Sequence, residues 1–291
     1  MKAFPFTKMH GLGNCYVYVD GFGRELPESV FPDFAREVSD PSTGIGSDGL
    51  ILILPSETAD IQMRIFNKDG SEAKNCGNGL RCVAKYAYEN DLVNGKSFMI
   101  ETLGGLVQAT VHVFGSEVDE VTVNMGVPSW KKQDLPMKTD AFAELINVPV
   151  SVDGVTASMT GVSMGNPHGV FFVDEIESAP VTQFGPVLAD RHPLFPEGLN
   201  VEFVEMLSAT EMNFRVWERG SGITQACGTG ACAAVVAAVL NEKSKKDENV
   251  TVHLLGGDLA IQWRSSGEVF MRGPAVKICE GTYFRSGSRR L

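Results

Sequence analysis

The sequence repeats itself once, and this repeat limits the folds that the chain can adopt. A shift of 151 positions places Met63–Asn67 on Phe214–Glu218 and Cys76–Gly79 on Cys227–Gly230. With small changes of offset, the matches continue in Gly13-Asn14 with Gly165-Asn166, and in Leu103-Gly104-Gly105 with Leu255-Gly256-Gly257. Because these matches keep one order and a nearly constant offset, they predict two copies of one domain.

The repeat predicts an N-terminal domain over residues 1–126 and a C-terminal domain over residues 127–274. A chain of 291 residues is long for one ordinary domain and sufficient for two. The stretch from Val276 to Phe284 has the pattern of a strand that follows the second copy. The sequence leaves open whether this segment, residues 275–291, returns to the first domain.

Within each copy, short apolar runs separated by turn residues predict mostly strands. Leu50–Leu54 is typical of a buried strand, and Phe98–Val113 and Val250–Trp263 each predict a hairpin around a Gly-Gly pair. One helix is expected in each copy, over about Gly79–Ala87 and Gly230–Asn241. These patterns predict the α+β class, with two pseudo-symmetric domains that each wrap a mostly antiparallel sheet around a central helix.

The charge balance argues against nucleic acid as a partner. The chain has 36 acidic and 25 basic residues, a formal net charge of -11 and no dense stripe of Lys and Arg. The short basic tail Arg285–Arg290 is predicted to be a solvated end. No apolar run is long enough to span a bilayer, and Met1–Phe6 lacks the apolar core of a secretory signal. We therefore expect a soluble, cytoplasmic protein with no membrane partner.

The cysteines do not form a familiar structural pattern. Six cysteines in 291 residues, with no Cys-x-x-Cys pair, argue against a disulfide framework and against a structural zinc site. No metal is therefore expected. Cys82 and Cys232, inside the predicted helices, and Cys279 are predicted to be buried packing residues. The role of Cys15 stays open.

Cys76 and Cys227 differ from the others because each precedes a Gly-x-Gly loop that leads into a helix. The first N–H groups of such a helix can hold a carboxylate, and the helix dipole favours a thiolate. If the two related domains face each other, the two cysteines lie on opposite sides of an interdomain cleft. A thiolate that removes a proton from one face of a carbon, and a thiol that returns one to the other face, invert the stereocentre. The pair therefore predicts an epimerase with its active site in that cleft.

Several segments carry a recognisable combination of residues: Met9–Asn14, Phe66–Glu72, Cys76–Cys82, Gly165–His168, Trp217–Gly220 and Ala226–Ala231. In this combination they resemble the diaminopimelate epimerase family, and the resemblance runs in order from residue 6 to about residue 284. Cys-Gly-Thr-Gly alone would be less specific, because proline racemases carry a similar sequence.

The resemblance implies a cofactor-independent epimerase, without pyridoxal phosphate or metal. It would interconvert LL- and meso-2,6-diaminopimelate in lysine and peptidoglycan precursor synthesis. It implies that Cys76 takes the proton from the LL isomer and that Cys227 takes it from the meso isomer. It also implies a homodimer.

The resemblance further implies roles for residues at matching positions. Asparagines that hydrogen-bond the substrate match Asn14, Asn67, Asn166 and Asn200. The two loops that hold an anion match Gly77, Asn78, Gly228 and Thr229. Glu218 and Arg219 match the pair that recognises the amino and carboxylate ends, and a guanidinium suits a carboxylate. His168 and Glu218 are expected to assist the cysteines in proton transfer.

Two positions depart from the family. Gly49 stands where some members have glutamine, so a side-chain contact that those members make is absent here. Cys15 stands where aspartate is frequent, and we expect this change to affect neither binding nor chemistry.

Other interpretations of these residues remain open. Asn14 and Asn166 could be turn residues only, Asn67 could cap the end of a strand, and the segment 165–168 could be a tight turn. The competing functions are a proline or hydroxyproline racemase, a thiol redox switch and a non-catalytic amino-acid-binding module. Asn200, Glu218 and Arg219 favour a long substrate with two charged ends over proline.

Overall fold

The computed structural model describes residues 2–24, 27–74, 76–135, 137–138 and 141–285. The chain forms two compact units. The first takes in the chain up to Val123 and the segment from Gly273 onward, and the second is Asn124–Arg272. The part of the basic tail beyond Arg285 lies outside the described residues. No helix in the described part of the chain is long and apolar enough to cross a membrane.

The first unit combines a mixed sheet with two α-helices, α1 (Phe31–Ser39) and α2 (Gly77–Glu89). A 3-10 helix (Glu28–Val30) precedes α1. The strands up to residue 124 are β1 (Lys2–Gly11), β2 (Asn14–Asp20), β3 (Gly49–Leu54), β4 (Ile61–Asn67), β5 (Glu72–Ala73), β6 (Ser97–Thr102), β7 (Gly105–Phe114) and β8 (Glu117–Asn124). Neighbouring strands pair antiparallel, except that β2–β3 and β4–β6 are parallel.

Strand β3 is buried on both faces, which explains its continuous apolar run. Leu50 and Leu52 pack in one cluster with Phe31 of α1. Ile51 lies against the start of α2, where a Cβ added to Gly79 would be 2.7 Å from Cδ1 of Ile51. Because successive side chains of a strand point to opposite faces, burial on both faces favours an apolar residue at every position.

The second unit repeats this arrangement. Its α-helices are α3 (Val181–Pro186) and α4 (Gly228–Leu240), and shorter helical turns span Lys132–Asp134, Ile176–Ser178 and Val187–Arg191. Its strands are β9 (Val148–Val152), β10 (Val155–Ser163), β11 (Pro167–Phe172), β12 (Asn200–Ser208), β13 (Glu211–Glu218), β14 (Gly222–Ile223), β15 (Val250–Leu254), β16 (Gly257–Trp263) and β17 (Val269–Pro274). The parallel pairs are β11–β12 and β13–β15.

Helix α4 is the central element of the second unit, as α2 is of the first. It packs against β10, β11, β12 and β16, and nearly all of its side chains are buried. A helix enclosed on all sides needs no polar face, which explains its run of alanines and valines. On the other face of β12, Phe203 stacks on Phe171 with ring centroids 5.5 Å apart, and Phe184 of α3 packs edge-on against both rings.

The strand predicted between Val276 and Phe284 is confirmed as β18 (Val276–Arg285). It pairs antiparallel with β1, from Arg285 opposite Lys2 to Val276 opposite His10. Arg285 also forms a two-point ion pair with Glu37 of α1, with both N–O distances at 2.8 Å.

The predicted α+β architecture, the two hairpins and the two central helices are confirmed, and each central helix begins two residues earlier than expected. Helices α1 and α3 were not expected, because nine and six residues are too few to establish a helical periodicity. The prediction that Cys279 is buried was wrong. Cys279 lies on β18, most of whose side chains are exposed.

The aromatic cluster behind β12 allows a test of the packing in the second unit. Phe203→Ala should remove about 3–5 kcal/mol from the free energy of unfolding, because it leaves a cavity between two rings. The midpoint of urea denaturation, followed by circular dichroism, measures this loss. Phe114→Ala is the control, since Phe114 is 83% exposed and its removal should change stability by no more than about 0.5 kcal/mol. Equal midpoints for the two variants would contradict the assigned packing.

Candidate active site

Both candidate cysteines occupy the same position relative to a helix. Cys76 is the N-cap residue of α2 and Cys227 is the N-cap residue of α4, each with an extended backbone. The N–H of Gly79 donates to Sγ of Cys76 over 3.4 Å. The first N–H groups of an α-helix have no carbonyl partner within the helix, so each loop presents donors that suit an anion next to a thiol.

The second glycine of each loop is required by packing. At Gly79, an added Cβ would lie 2.7 Å from Cδ1 of Ile51. At Gly230, an added Cβ would lie 2.9 Å from Oε1 of Glu202 and 3.2 Å from Sγ of Cys227. Each helix start therefore presses directly on the buried strand beneath it, β3 in the first unit and β12 in the second.

A network of side chains surrounds the partly exposed Cys76. Its thiol donates to Oδ1 of Asn14 over 3.6 Å, and Asn78 also donates to that oxygen over 3.5 Å. The Asn14 amide in turn donates to Asp48 over 2.9 Å. The fully buried Arg81 donates to Oδ1 of Asn78 over 3.0 Å. These contacts fix the orientation of both amides beside the sulfur.

Tyr16 is a further neighbour of Cys76. Its hydroxyl forms hydrogen bonds with the side chains of Asn14 and Cys76. Burial raises the pKa of Tyr16, and the negative charges of a Cys76 thiolate and of Asp48 raise it further. Tyr16 therefore keeps its proton and can donate it in a hydrogen bond to the sulfur.

Gly49, the position where some family members have glutamine, cannot carry a side chain in this backbone. A Cβ there would lie 2.1 Å from the carbonyl oxygen of Phe66 and 2.9 Å from the ring of Tyr16. A glutamine would require a different path of the chain at the start of β3.

Cys227 has a more enclosed setting. Only 4% of it is exposed, and its sulfur lies 3.6 Å from Oγ1 of Thr229. Burial raises the pKa of Cys227 well above its ordinary value, and the negative charges of Glu218 and Glu202 raise it further. The Thr229 hydroxyl opposes this shift. Glu218 itself accepts a short hydrogen bond from Thr224.

His168 and Glu202 form a buried pair beside this cysteine, and both side chains have 0% exposure. On the paired strands β11 and β12, His168 lies opposite Asn200, so Glu202, two residues further, shares its face. Nδ1 of His168 lies 2.6 Å from Oε1 of Glu202, and Nε2 lies 3.0 Å from Oδ1 of Asn166. Burial raises the pKa of Glu202, and the charge of His168 acts in the opposite direction.

The residues expected to recognise the far end of a substrate lie at the start of β12 and at the end of β13. Oδ1 of Asn200 accepts from the backbone N–H of Arg219 over 2.8 Å. The exposed Arg219 guanidinium donates to the carbonyl of Glu197 over 2.7 Å. It borders a cavity of about 620 Å³ that Trp217 also lines.

The structure thus groups the expected residues within each unit. Around the first cysteine it gathers Asn14, Cys76, Gly77 and Asn78. Around the second it gathers Asn166, His168, Glu218, Cys227, Gly228 and Thr229. Asn67, at the end of β4, donates a hydrogen bond to Oγ of Ser71 over 3.1 Å, a contact typical of a residue that shapes a turn. His168 hydrogen-bonds Glu202 and Asn166 instead of Cys227.

Four neighbours of the cysteines were not anticipated: Tyr16, Asp48, Arg81 and Glu202. Glu202 could have been noticed, because a carboxylate interrupts an apolar strand pattern at a position that must point inward. The other cysteines inside helices, Cys82 and Cys232, are buried as predicted, and burial raises the pKa of Cys82 to about 11. Within the described ranges, no group of three or more His, Cys, Asp and Glu side chains is placed to hold a metal ion.

Comparison with known proteins identifies the fold first. A phenazine biosynthesis protein of the PhzF family from Bacillus anthracis superposes with a TM-score of 0.72 at 18% identity, over 98% of this chain and 100% of that chain. At this level of identity the similarity establishes only the two-domain α+β fold.

Sequence comparison identifies the family. The family model for diaminopimelate epimerase matches residues 6–131 and 160–278. A diaminopimelate epimerase from Geobacillus kaustophilus is 58% identical over 289 residues, 99% of each chain. Another, from Bacillus subtilis, is 58% identical over 284 residues, 98% of this chain and 100% of that protein. The chain therefore belongs to the diaminopimelate epimerase family and is an epimerase, an enzyme of the isomerase class.

The setting of Cys227 predicts a specific pH dependence. With its pKa raised, Cys227 is a protonated thiol at neutral pH, and its thiolate forms only as the pH rises. Glu218→Gln removes one of the two negative charges that raise this pKa. At pH 8 the alkylation of Cys227 by iodoacetamide should therefore become about tenfold faster, which corresponds to a pKa lowered by ~1 unit. Mass spectrometry of the labelled peptide measures the rate.

Glu144→Gln is the matched control, since it removes an exposed carboxylate from the same unit. It should leave the labelling rate unchanged. An equal or slower rate in Glu218→Gln would show that Glu218 does not raise the pKa of Cys227.

Proposed function

We propose that this enzyme interconverts LL- and meso-2,6-diaminopimelate with Cys76 and Cys227 as its two acid–base groups, without pyridoxal phosphate or metal. The observation that carries the proposal is the duplicated N-cap cysteine. In both units a thiol is the N-cap group of a buried helix and stands beside its first N–H groups. The relatives at 58% identity are named diaminopimelate epimerase, which supports this substrate.

The reaction needs two protons and two sulfurs. A thiolate takes the α-proton, so that an S–H bond forms as the C–H bond breaks and the electron pair stays on the carbon. The thiol of the other cysteine then gives its proton to the opposite face of that carbon and becomes a thiolate. The products are the inverted stereocentre and an enzyme whose two sulfurs have exchanged protonation states.

The carbanion is the difficult species in this reaction. Its charge spreads into the neighbouring carboxylate, which the N–H groups of Gly77, Asn78, Gly228 and Thr229 would hold. Fixed backbone dipoles stabilise such a charge more strongly than water does, because they need no reorganisation when the proton leaves. This arrangement supports an acid–base mechanism in which the protein supplies all the groups.

The remaining polar residues would select the substrate. Asn200, Glu218 and Arg219 suit a second amino-acid head group, with the carboxylate on the guanidinium and the ammonium on the glutamate. Asn14, Asn67 and Asn166 would orient the molecule between these ends. Proline has only one such head group and would offer Arg219 no second carboxylate.

The direction of the reaction follows the assignment made for the family. Cys76 would act as the base toward the LL isomer, and Cys227 as the base toward the meso isomer, with His168 and Glu218 assisting. We further propose that the enzyme works as a cytoplasmic homodimer, in the supply of meso-diaminopimelate for lysine and peptidoglycan precursors.

Proton NMR in heavy water tests the reaction and the substrate together. The reduced enzyme should convert LL-diaminopimelate to the meso isomer, with deuterium at the inverted α-carbon. Because each thiol serves one face, the unreacted LL isomer should keep its α-proton during early turnover. A parallel sample with proline should show no exchange. Exchange in proline alone would assign the enzyme to the racemases, and no exchange in either sample would refute the proposal.

Substitution of each cysteine tests the two-base mechanism. Cys76→Ala and Cys227→Ala should each reduce turnover in both directions by about 100-fold or more, because one proton transfer is then lost. Circular dichroism should remain unchanged. Cys279→Ala, at an exposed position, is the control and should keep wild-type turnover. Near-normal turnover in either of the first two variants would exclude two-base catalysis by these cysteines.

A further inference from the structure

The two units place different residues at one equivalent position. Glu202 on β12 and Ile51 on β3 are separated by the same 151 positions as the two cysteines. Each lies against the second glycine of its cysteine loop, at 2.9 Å from a Cβ built on Gly230 and at 2.7 Å from one built on Gly79. Since the first unit folds with isoleucine there, the architecture does not require a carboxylate at this position.

A carboxylate at this position is costly. Glu202 has 0% exposure, and its Oε2 atom has no hydrogen-bond partner within the described residues. Burial of a carboxylate costs solvation free energy, and a buried ion pair often contributes no more to stability than well-packed apolar residues in place of both partners. The presence of Glu202 therefore needs a reason other than stability.

Hydrogen bonds connect Glu202 to the sulfur of Cys227. Oε1 of Glu202 lies 2.6 Å from Nδ1 of His168, whose Nε2 lies 3.0 Å from Oδ1 of Asn166. Nδ2 of Asn166 donates to Oγ1 of Thr229 over 3.3 Å. That oxygen lies 3.6 Å from Sγ of Cys227.

The series of hydrogen bonds from Glu202 to Cys227 has a direction. Oδ1 of Asn166 can only accept, so the contact with His168 requires a hydrogen on Nε2. The Asn166 amide then donates to the Thr229 oxygen, which leaves the Thr229 hydroxyl hydrogen available for Cys227. Two protonation states of the Glu202–His168 pair fit this pattern. In one, a Glu202 carboxylate accepts from Nδ1 of an imidazolium, and in the other, a Glu202 carboxylic acid donates to Nδ1 of a neutral imidazole.

We propose that Glu202 is a positioning residue for Cys227, which keeps the hydrogen of His168 on Nε2 and so aims the Thr229 hydroxyl at the sulfur. The proposal rests on the proposed function, in which Cys227 cycles between thiol and thiolate. A hydroxyl that donates to the sulfur favours the thiolate in a setting where Glu218 and Glu202 both oppose it. In the first unit Tyr16 forms a hydrogen bond with Cys76 directly, so no such series of hydrogen bonds is needed there.

Two substitutions of Glu202 separate positioning from a structural role. Glu202→Ile copies the first unit and removes the partner of Nδ1, so it should lower turnover by about 10- to 100-fold, the usual effect of losing a group that orients a reactive one. Its melting temperature should fall, because the buried His168 then lacks a partner at Nδ1, and turnover is therefore measured well below that temperature. Glu202→Gln can donate from its amide to Nδ1, keeps the hydrogen on Nε2, and should restore turnover to within about threefold of the wild type.

Glu205→Gln is the matched control. Glu205 lies on the same strand and is partly buried. It accepts hydrogen bonds from the Asn213 amide and from the backbone N–H of Ile176, away from Cys227. It should keep wild-type turnover. Thr229→Val should lose about as much turnover as Glu202→Ile. The double variant should lose little more, because both changes interrupt the same series of hydrogen bonds.

Nitrogen-15 NMR of His168 tests the proposal without substrate, because it reports which ring nitrogen carries the hydrogen. The wild type and Glu202→Gln should show a protonated Nε2, and Glu202→Ile should show the hydrogen redistributed between the two nitrogens. Full turnover or an unchanged His168 spectrum in Glu202→Ile would overturn the proposal, and so would full turnover in Thr229→Val. A wild-type enzyme without epimerase activity would refute the proposed function alone, since the NMR result does not depend on turnover.

Discussion

A buried helix begins with backbone N–H groups that have no partner within the helix, and the candidate site in each unit is arranged around this constraint. Helices α2 and α4 are enclosed by their sheets, so solvent cannot satisfy these groups freely. A cysteine stands at each N-cap, and in α2 its sulfur accepts the N–H of Gly79. The packing that buries each helix therefore also places a thiol beside its first N–H groups, a setting that suits an anion.

The two cysteine loops share a backbone but not their polar partners. Cys76 is partly exposed and contacts Asn14 and Tyr16, whereas Cys227 is enclosed and faces two carboxylates. Duplication of a domain preserves the backbone because the helix must keep its packing. The side chains on the strand beneath can then diverge, as Ile51 and Glu202 have. Unequal surroundings suit the proposed reaction, which starts from one thiolate and one thiol.

Local patterns in the sequence predicted most of the fold. The hairpins, the buried strand β3 and the central helices follow from turn residues and periodicity within short windows. Helix α1 was missed because its nine residues, with Pro32 in the first turn, are too few to establish a helical periodicity. Burial of Cys279 was predicted from residue type alone, which carries no information about the open side of a strand.

The sequence by itself determined the two copies, the α+β class and the N-cap position of each candidate cysteine, because glycine, an N-cap and strand alternation act over a few neighbouring residues. Only the tertiary structure decided which groups touch each sulfur. His168 reaches Glu202 through the parallel pairing of β11 with β12, 34 positions apart in the chain. Burial of Glu202 and Cys227 then raises the pKa values of these two groups, because desolvation depends on the whole surrounding packing and not on adjacent residues.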